Sequence, residues 1–419
     1  MNVLKEYEWH VYQQESHRPS SLPYPSLTND ILPMFTHRWA SGQDQHTREF
    51  FHKLEPALQL TSLLLTESYP LRWFSHLTFG ERRPSPLGTY IVPTPYSISP
   101  EAISQVKANL RELGKVITFM FRPRGWYDSS WGITYSDKSS EPQFHDFFRE
   151  EDWPPARSHK GHARPVIMMN ACFQEYFRRS NSATSSVTEH YRALLTFAIT
   201  LGHEVAHAYE FWLGASHSEP RWCYGEKYAE LGFSWEHAVI GHVLNPMTDP
   251  GKDQTCFPKL CSTRLEEYAT EAGRERLLGK LKGRTSAQFT TRDVFGSHRN
   301  WPLLNPREFR GAKWSLSRDA TAIVASIYAV PSQWVVDWFQ KDVWARRVME
   351  WKHLQAYRPP PLDNAFMIIY ERNAHGAQVQ RPLNPFFDVD AYILQQRAEQ
   401  KLGEDRATRR DQGFGYSWK

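Results

Sequence analysis

Two histidines flank a glutamate in His203-Glu204-Val205-Ala206-His207, inside a strongly apolar stretch of a 419-residue chain. On a helix, residues four apart share a face, so both imidazoles would project together, with a carboxylate between them in sequence. That pairing suits a divalent zinc ion that holds and activates a water. A catalytic zinc site needs a third protein ligand and keeps its fourth position for water. The metzincin continuation would require Gly at 210 and His at 213; the chain has Glu210 and Leu213, which excludes that subclass.

The element that must carry the motif reads as a helix. Ser186 with Glu189 three residues later has the form of a capping box, and Gly214 is placed to end the helix. Leu194, Ala198, Leu201, Val205, Ala208 and Trp212 recur at helical spacing. Thr196, Thr200, His203, His207 and Glu210 fall on the opposite face. From Ala193 to Leu213 there is no Lys, Arg or Asp, so a buried helix is expected, and buried ionisable groups need partners or a metal. Gly202 in mid-helix should cost about 1 kcal/mol; it either lets another backbone approach the site or is simply tolerated.

Downstream lies Glu226-Lys227-Tyr228-Ala229-Glu230-Leu231-Gly232. With the preceding motif, this segment resembles the gluzincins, the zinc metallopeptidases in which a second helix supplies a Glu ligand. The resemblance spans about residues 115–245. It implies His203, His207 and Glu226 as zinc ligands, Glu204 as general base and Glu230 as the acid that orients a ligand imidazole. Because Glu226 and Glu230 share a helical face at a spacing of four, the exchange of their roles stays open. Glu236 reads as a structural partner, and His217 as a solvated loop residue. The second electrophile that such enzymes use is open between His237, His242 and Tyr328. Leu54-Glu55-Pro56-Ala57-Leu58, ahead of a Leu-rich stretch, also resembles fungal zincin-like proteins, a likeness that implies no activity.

Three β-branched or aromatic runs precede the motif helix and predict strands: Lys115–Phe121, Trp131–Tyr135 and Pro165–Asn170. The gluzincin resemblance implies that one lines the cleft and pairs with an extended peptide. Between the second and third, a polar segment with His145, His159 and His162 reads as a surface loop. Elsewhere, Gln45–Thr66 and Glu101–Leu113 read as helices, and Pro84–Pro100 as an extended connector. Arg264–Lys282 reads as a charged helix, and Pro331–Lys352 as a helix whose Trp334, Trp338, Trp344 and Trp351 are core or docking residues. The N-terminal 43 residues, rich in Pro, Ser and His, are expected to wrap or dangle, and much of the charged tail from Gln395 is expected to be loosely ordered.

Composition narrows the function classes. Net charge is +4, with basic residues dispersed and no nucleic-acid-binding signature, so nucleic-acid binding gains no support. No run of eighteen apolar residues predicts a membrane span. Cys172, Cys223, Cys256 and Cys261 lack metal-ribbon or disulfide-framework spacing, and the first residues lack a hydrophobic signal core. An intracellular, cytoplasmic protein is expected. The expected fold is α+β: a zincin-like core of a small mixed sheet with the motif helix and the Glu helix. Large, mainly helical N- and C-terminal elaborations flank it, with divisions at 1–114, 115–260 and 261–419. The expected function is zinc-dependent hydrolysis of a peptide or protein substrate. Its competitor is a catalytically inactive zincin-fold scaffold or binding protein. Oligomeric state and substrate sequence are not encoded in any pattern found.

Overall fold

The apolar stretch around His203 forms a helix over Val187–Trp212, buried on nearly every side from Tyr191 onward. With no charged stripe to face water, such a helix gains stability only where neighbours cover its whole circumference. It ends at Gly214, whose φ of +80° is the left-handed turn that favours glycine. The cap expected at Ser186 lies outside the described residues. The computed structural model describes residues 22–37, 45–86, 88–122, 130–136, 162–179, 187–214, 219–224, 226, 229–246, 260–281, 287–290, 313–315, 322–362 and 366–373. The calls on His145, His159, His217, Cys256 and the tail from Gln395 lie outside them, as do the side chains of Cys261 and Tyr328.

In chain order, α1 (Pro33–His37), α2 (Gln45–Leu64) and α3 (Arg72–Phe79) precede the strands β1 (Glu81–Ser85) and β2 (Gly88–Val92) and then α4 (Pro100–Leu113). β3 (Thr118–Phe121), β4 (Gly132–Tyr135) and β5 (Val166–Met169) follow, with α5 (Ala171–Arg179) leading to the long helix, α6 (Val187–Trp212). Next come α7 (Leu231–Trp235), continued by a π turn to Ile240, and β6 (Leu244–Pro246). β7 (Leu260–Tyr268), α8 (Glu271–Leu281), β8 (Ala287–Thr290), β9 (Lys313–Ser315) and β10 (Ala322–Ala329) lead to α9 (Ser332–Asp337), α10 (Lys341–Leu354) and β11 (Phe366–Asn373). The fold is mixed α+β.

Two compact units divide the chain: Met1–Ser262 with Tyr328–Phe366, and Thr263–Ile327 with Met367–Lys419. The expected boundary between 114 and 115 does not separate these units, because the N-terminal helices share the first unit with the motif helix. In that unit α2, α4, α7 and α9 pack on α6, as do β4 and β5. The three predicted strands make one small mixed sheet in the order β3-β5-β4. β3 runs parallel to β5 (Thr118 opposite Val166) and β4 antiparallel to it (Gly132 opposite Met169). The core runs through Phe119, Phe121, Phe173 and Phe197, with Phe173 edge-on to Phe197 at 5.2 Å. Each such side chain contributes about 1.5–3 kcal/mol on burial. Between α2 and α6, Thr61 Oγ1 lies 3.0 Å from Ala57 O and 3.1 Å from Ala198 O, so a hydroxyl with no access to water has acceptors on both helices.

Three expectations are corrected. Pro84–Pro100 is not a plain connector: Thr89–Val92 pairs with Glu81–Pro84 as a hairpin whose turn uses Gly88 at φ +110°. Pro84 sits on the outer strand, where its missing N–H breaks no ladder bond. In the second unit, Arg264–Tyr268 is strand rather than helix, pairing parallel with Lys313–Ser315, and only Glu271–Leu281 is helical. Pro331–Lys352 is two helices, α9 and α10, interrupted around Trp338. Trp334, Trp338, Trp344 and Trp351 are buried and meet successively edge to face at 5.5–6.0 Å, as core residues.

Gly202 is explained by Trp235. A Cβ at Gly202 would stand 2.2 Å from the indole Cη2 of that fully buried ring, so the glycine admits a side chain from α7 rather than another backbone. Overpacking of this kind costs roughly 1–3 kcal/mol or more. It outweighs the about 1 kcal/mol that alanine gains in helix propensity. Gly202→Ala should therefore lower the denaturant midpoint, at unchanged m-value, by an amount equivalent to about 2 kcal/mol. A variant as stable as the wild type would show that α7 is not locked against α6 in this way.

Candidate metal centre

α6 places His203 and His207 on one side, one turn apart, with ring centroids 5.0 Å from each other. Their Nε2 atoms face each other at 3.2 Å. Glu230 Oε1 completes a triangle, 2.8 Å from His207 Nε2 and 3.1 Å from His203 Nε2. Among the described residues, this trio is the one group of His, Cys, Asp or Glu side chains whose atoms converge closely enough to hold a metal ion.

The tautomers follow from what lies behind the rings. His203 Nδ1 is 2.7 Å from Glu236 Oε1, and His207 Nδ1 is hydrogen-bonded to Glu219 Oε1. Carboxylates accept, so each neutral imidazole donates from Nδ1 and turns an Nε2 lone pair into the triangle. Three electron-rich atoms about 3 Å apart then need positive charge between them. Protons supply it in part. Burial depresses the His203 imidazole, but the Glu230 charge and the bonds to Glu230 and Glu236 outweigh this and raise it to about 10. For His207, burial is likewise overcome by Glu230 and Glu219, leaving it well above its ordinary value. Burial pushes the Glu230 carboxyl up, yet the two imidazoles hold it well below the usual range.

A divalent cation fits the same place. Tetrahedral bonds of 2.0–2.1 Å put ligand atoms about 3.3 Å apart, so the triangle needs to open by only a few tenths of an ångström. Two neutral imidazoles and one carboxylate, each imidazole backed by an acid, are a donor set suited to zinc with an open fourth position. The side chains of His203 and His207 are 12% and 13% exposed, so little water competes with such an ion.

The Glu assignments change from those expected. Residues 226 and 230 do not lie on a helix: Glu230 is extended, at φ −148° and ψ 102°, and caps α7 through Oε2, which accepts from Phe233 N. Glu230, not Glu226, therefore reaches the imidazoles. Glu226 accepts from Trp222 N at 2.7 Å and from Ser234 Oγ at 3.0 Å, tying the chain before the site to α7. Burial raises its carboxyl. The imidazole-orienting role expected of Glu230 falls to Glu236 and Glu219. Burial also raises Glu236, which the bond to His203 partly opposes.

Nothing in the sequence marks Glu219, because a lone loop carboxylate carries no periodicity. Its Oε2 also accepts from Leu231 N at 3.0 Å, so one side chain joins His207 to the start of α7. Arg221, two residues on, extends the hairpin: its N–H donates to Thr89 O at 2.8 Å and its carbonyl accepts from Ile91 N at 3.0 Å. Gly232 lies against His203, where a Cβ would come within 2.2 Å of Nε2, so any side chain there would press into the site. Glu204, next to His203 on α6, is buried and its charge acts on that imidazole, while its Oε2 accepts from Thr134 Oγ1 at 2.6 Å. Glu210, fully buried one turn past His207, is paired with Arg82 of β1 at 2.7 Å. His162 Nδ1 lies 2.7 Å from Trp212 O at the end of α6, while His242 is turned to Ser262 at 2.9 Å. His237 lies on the π turn after α7.

Comparison with protein-family models, with curated proteins and with solved structures finds no match for this chain. The site is therefore read from its own chemistry.

Glu230→Ala should abolish stoichiometric metal binding by elemental analysis, whereas Glu226→Gln should retain it. Glu219→Gln should weaken metal affinity about 10- to 100-fold while leaving the ligands in place. Metal lost from the Glu226 variant and kept by the Glu230 variant would reverse the assignment.

Proposed function

We propose that this chain is a zinc-dependent metallopeptidase with a gluzincin-like active site, hydrolysing a peptide or protein substrate. The observation that carries the reading is the triangle of His203 Nε2, His207 Nε2 and Glu230 Oε1, with the Glu204 carboxylate alongside on the same helix. The small mixed sheet, α6 and α7 would then be the zincin-like core.

Zinc, when bound, supplies Lewis-acid polarisation of a water and of a carbonyl oxygen. Glu204 would accept the proton of the attacking water and return it to the nitrogen of the leaving amine. β4 is the edge of its sheet, hydrogen-bonded to β5 on one side only among the described residues. Its outer edge is suited to pair with an extended peptide laid along α6. Membrane insertion is not part of the reading: among the described residues no helix is long and apolar enough to cross a bilayer.

The test uses zinc-loaded protein and a mixture of internally quenched fluorescent peptides. The wild type should cleave them. Glu204→Gln should keep one metal per chain while kcat falls by about 10²–10⁴-fold. Undiminished cleavage by that variant rejects Glu204 as the base; metal binding with no cleavage by the wild type supports the scaffold reading instead.

A further inference from the structure

β4 meets the proposed base as well as bordering the sheet. Gly132 and Thr134 are two residues apart on an extended strand and so present to one face. That face lies on α6 at Glu204. Thr134 Oγ1 is 2.6 Å from Glu204 Oε2 and 3.0 Å from the Glu204 main-chain oxygen. At Gly132, a Cβ would stand 2.5 Å from Glu204 Oε1 and 2.6 Å from its Cγ. One oxygen of the buried carboxylate is thus held by a hydroxyl, and the other is flanked by a residue with no side chain.

The strand is itself anchored at this point. Asn170 N donates to Trp131 O at 2.9 Å and Asn170 Nδ2 to Ser130 O at 2.8 Å, while Arg122 Nη1 reaches Ser130 Oγ at 2.9 Å. Gly132 and Thr134 pair with Met169 and Ile167 of β5, both fully buried. The hydroxyl therefore approaches Glu204 from a fixed support.

We propose that Thr134 is a positioning residue for Glu204, and that Gly132 keeps clear the space its working oxygen needs. A threonine hydroxyl has one hydrogen to donate. The shorter contact assigns it to Oε2, a charge-assisted bond stronger than one to a peptide oxygen. Oε1 is then the oxygen that takes the water's proton, and the bare Gly132 leaves room beside it. A glutamate otherwise free to rotate about three side-chain torsions is held in one orientation. The proposal rests on the reading of Glu204 as the general base.

Thr134→Val removes the hydroxyl and keeps the shape; Thr134→Ser keeps the hydroxyl. In zinc-loaded protein with the same quenched peptides, Thr134→Val should lower kcat roughly 10- to 100-fold with KM nearly unchanged, and Thr134→Ser should recover most of it. Gly132→Ala should retain metal and lose turnover. A second readout needs no activity: in metal-free protein, Thr134→Val should lower the melting temperature in the wild type but not in a Glu204→Met background. Additive melting effects, or wild-type kcat in Thr134→Val, overturn the proposal while leaving the peptidase reading intact. Coupled melting without Glu204-dependent cleavage removes the peptidase reading and the catalytic role of Thr134 with it.

Discussion

Three lone pairs directed at one point, in a wall with little water, are the constraint around which the first unit is organised. His203, His207 and Glu230 bring electron-rich atoms to about 3 Å of one another. In water such a gathering would be screened and of little consequence. Here it demands compensating positive charge, and the surroundings determine what form that charge takes. Acids behind both rings fix the tautomers and strengthen the imidazoles as donors, so the trio could hold a cation.

The preparation draws on several separate elements. α6 supplies both imidazoles and the neighbouring carboxylate; Glu230 caps α7, which leads through Trp235 to Glu236. Gly202 and Gly232 let α7 approach, one admitting the Trp235 ring and the other making room for His203. The segment with Glu219 is held from two directions, by pairing to the β1–β2 hairpin through Arg221 and by Glu226 reaching Trp222 N. The same hairpin supplies Arg82 to Glu210, so this fully buried acid one turn past His207 is neutralised by its own partner. Buried charges left single would each cost several kcal/mol, and every one of these has a partner.

Much of the framework was legible along the chain because its signals are local. The 3.6-residue recurrence and the absence of Lys, Arg and Asp marked α6 as a buried helix, and β-branched and aromatic runs marked β3, β4 and β5. The hairpin is not legible along the chain because its prolines carry a breaker signal, although on an outer strand proline breaks nothing. The roles of Glu226 and Glu230 stay interchangeable along the chain, because a spacing of four implies a shared face only if the residues are helical. The chain is extended through Glu230, and the helix begins one residue later. Thr134 and Gly132 gave no signal at all, since a small residue on a short strand acquires meaning only from what packs over it.

The order of residues by itself determined that two imidazoles and a carboxylate would stand along one buried helix, because helical geometry converts a spacing of four into a shared face without reference to anything distant. Tertiary structure alone decided which acid closes the triangle, which acids hold the rings and which hydroxyl meets Glu204. Those contacts join residues from 12 to 70 positions apart. At the longer separations their directions depend on where α7, the Glu219 segment and β4 are packed against α6, and no local pattern encodes that packing.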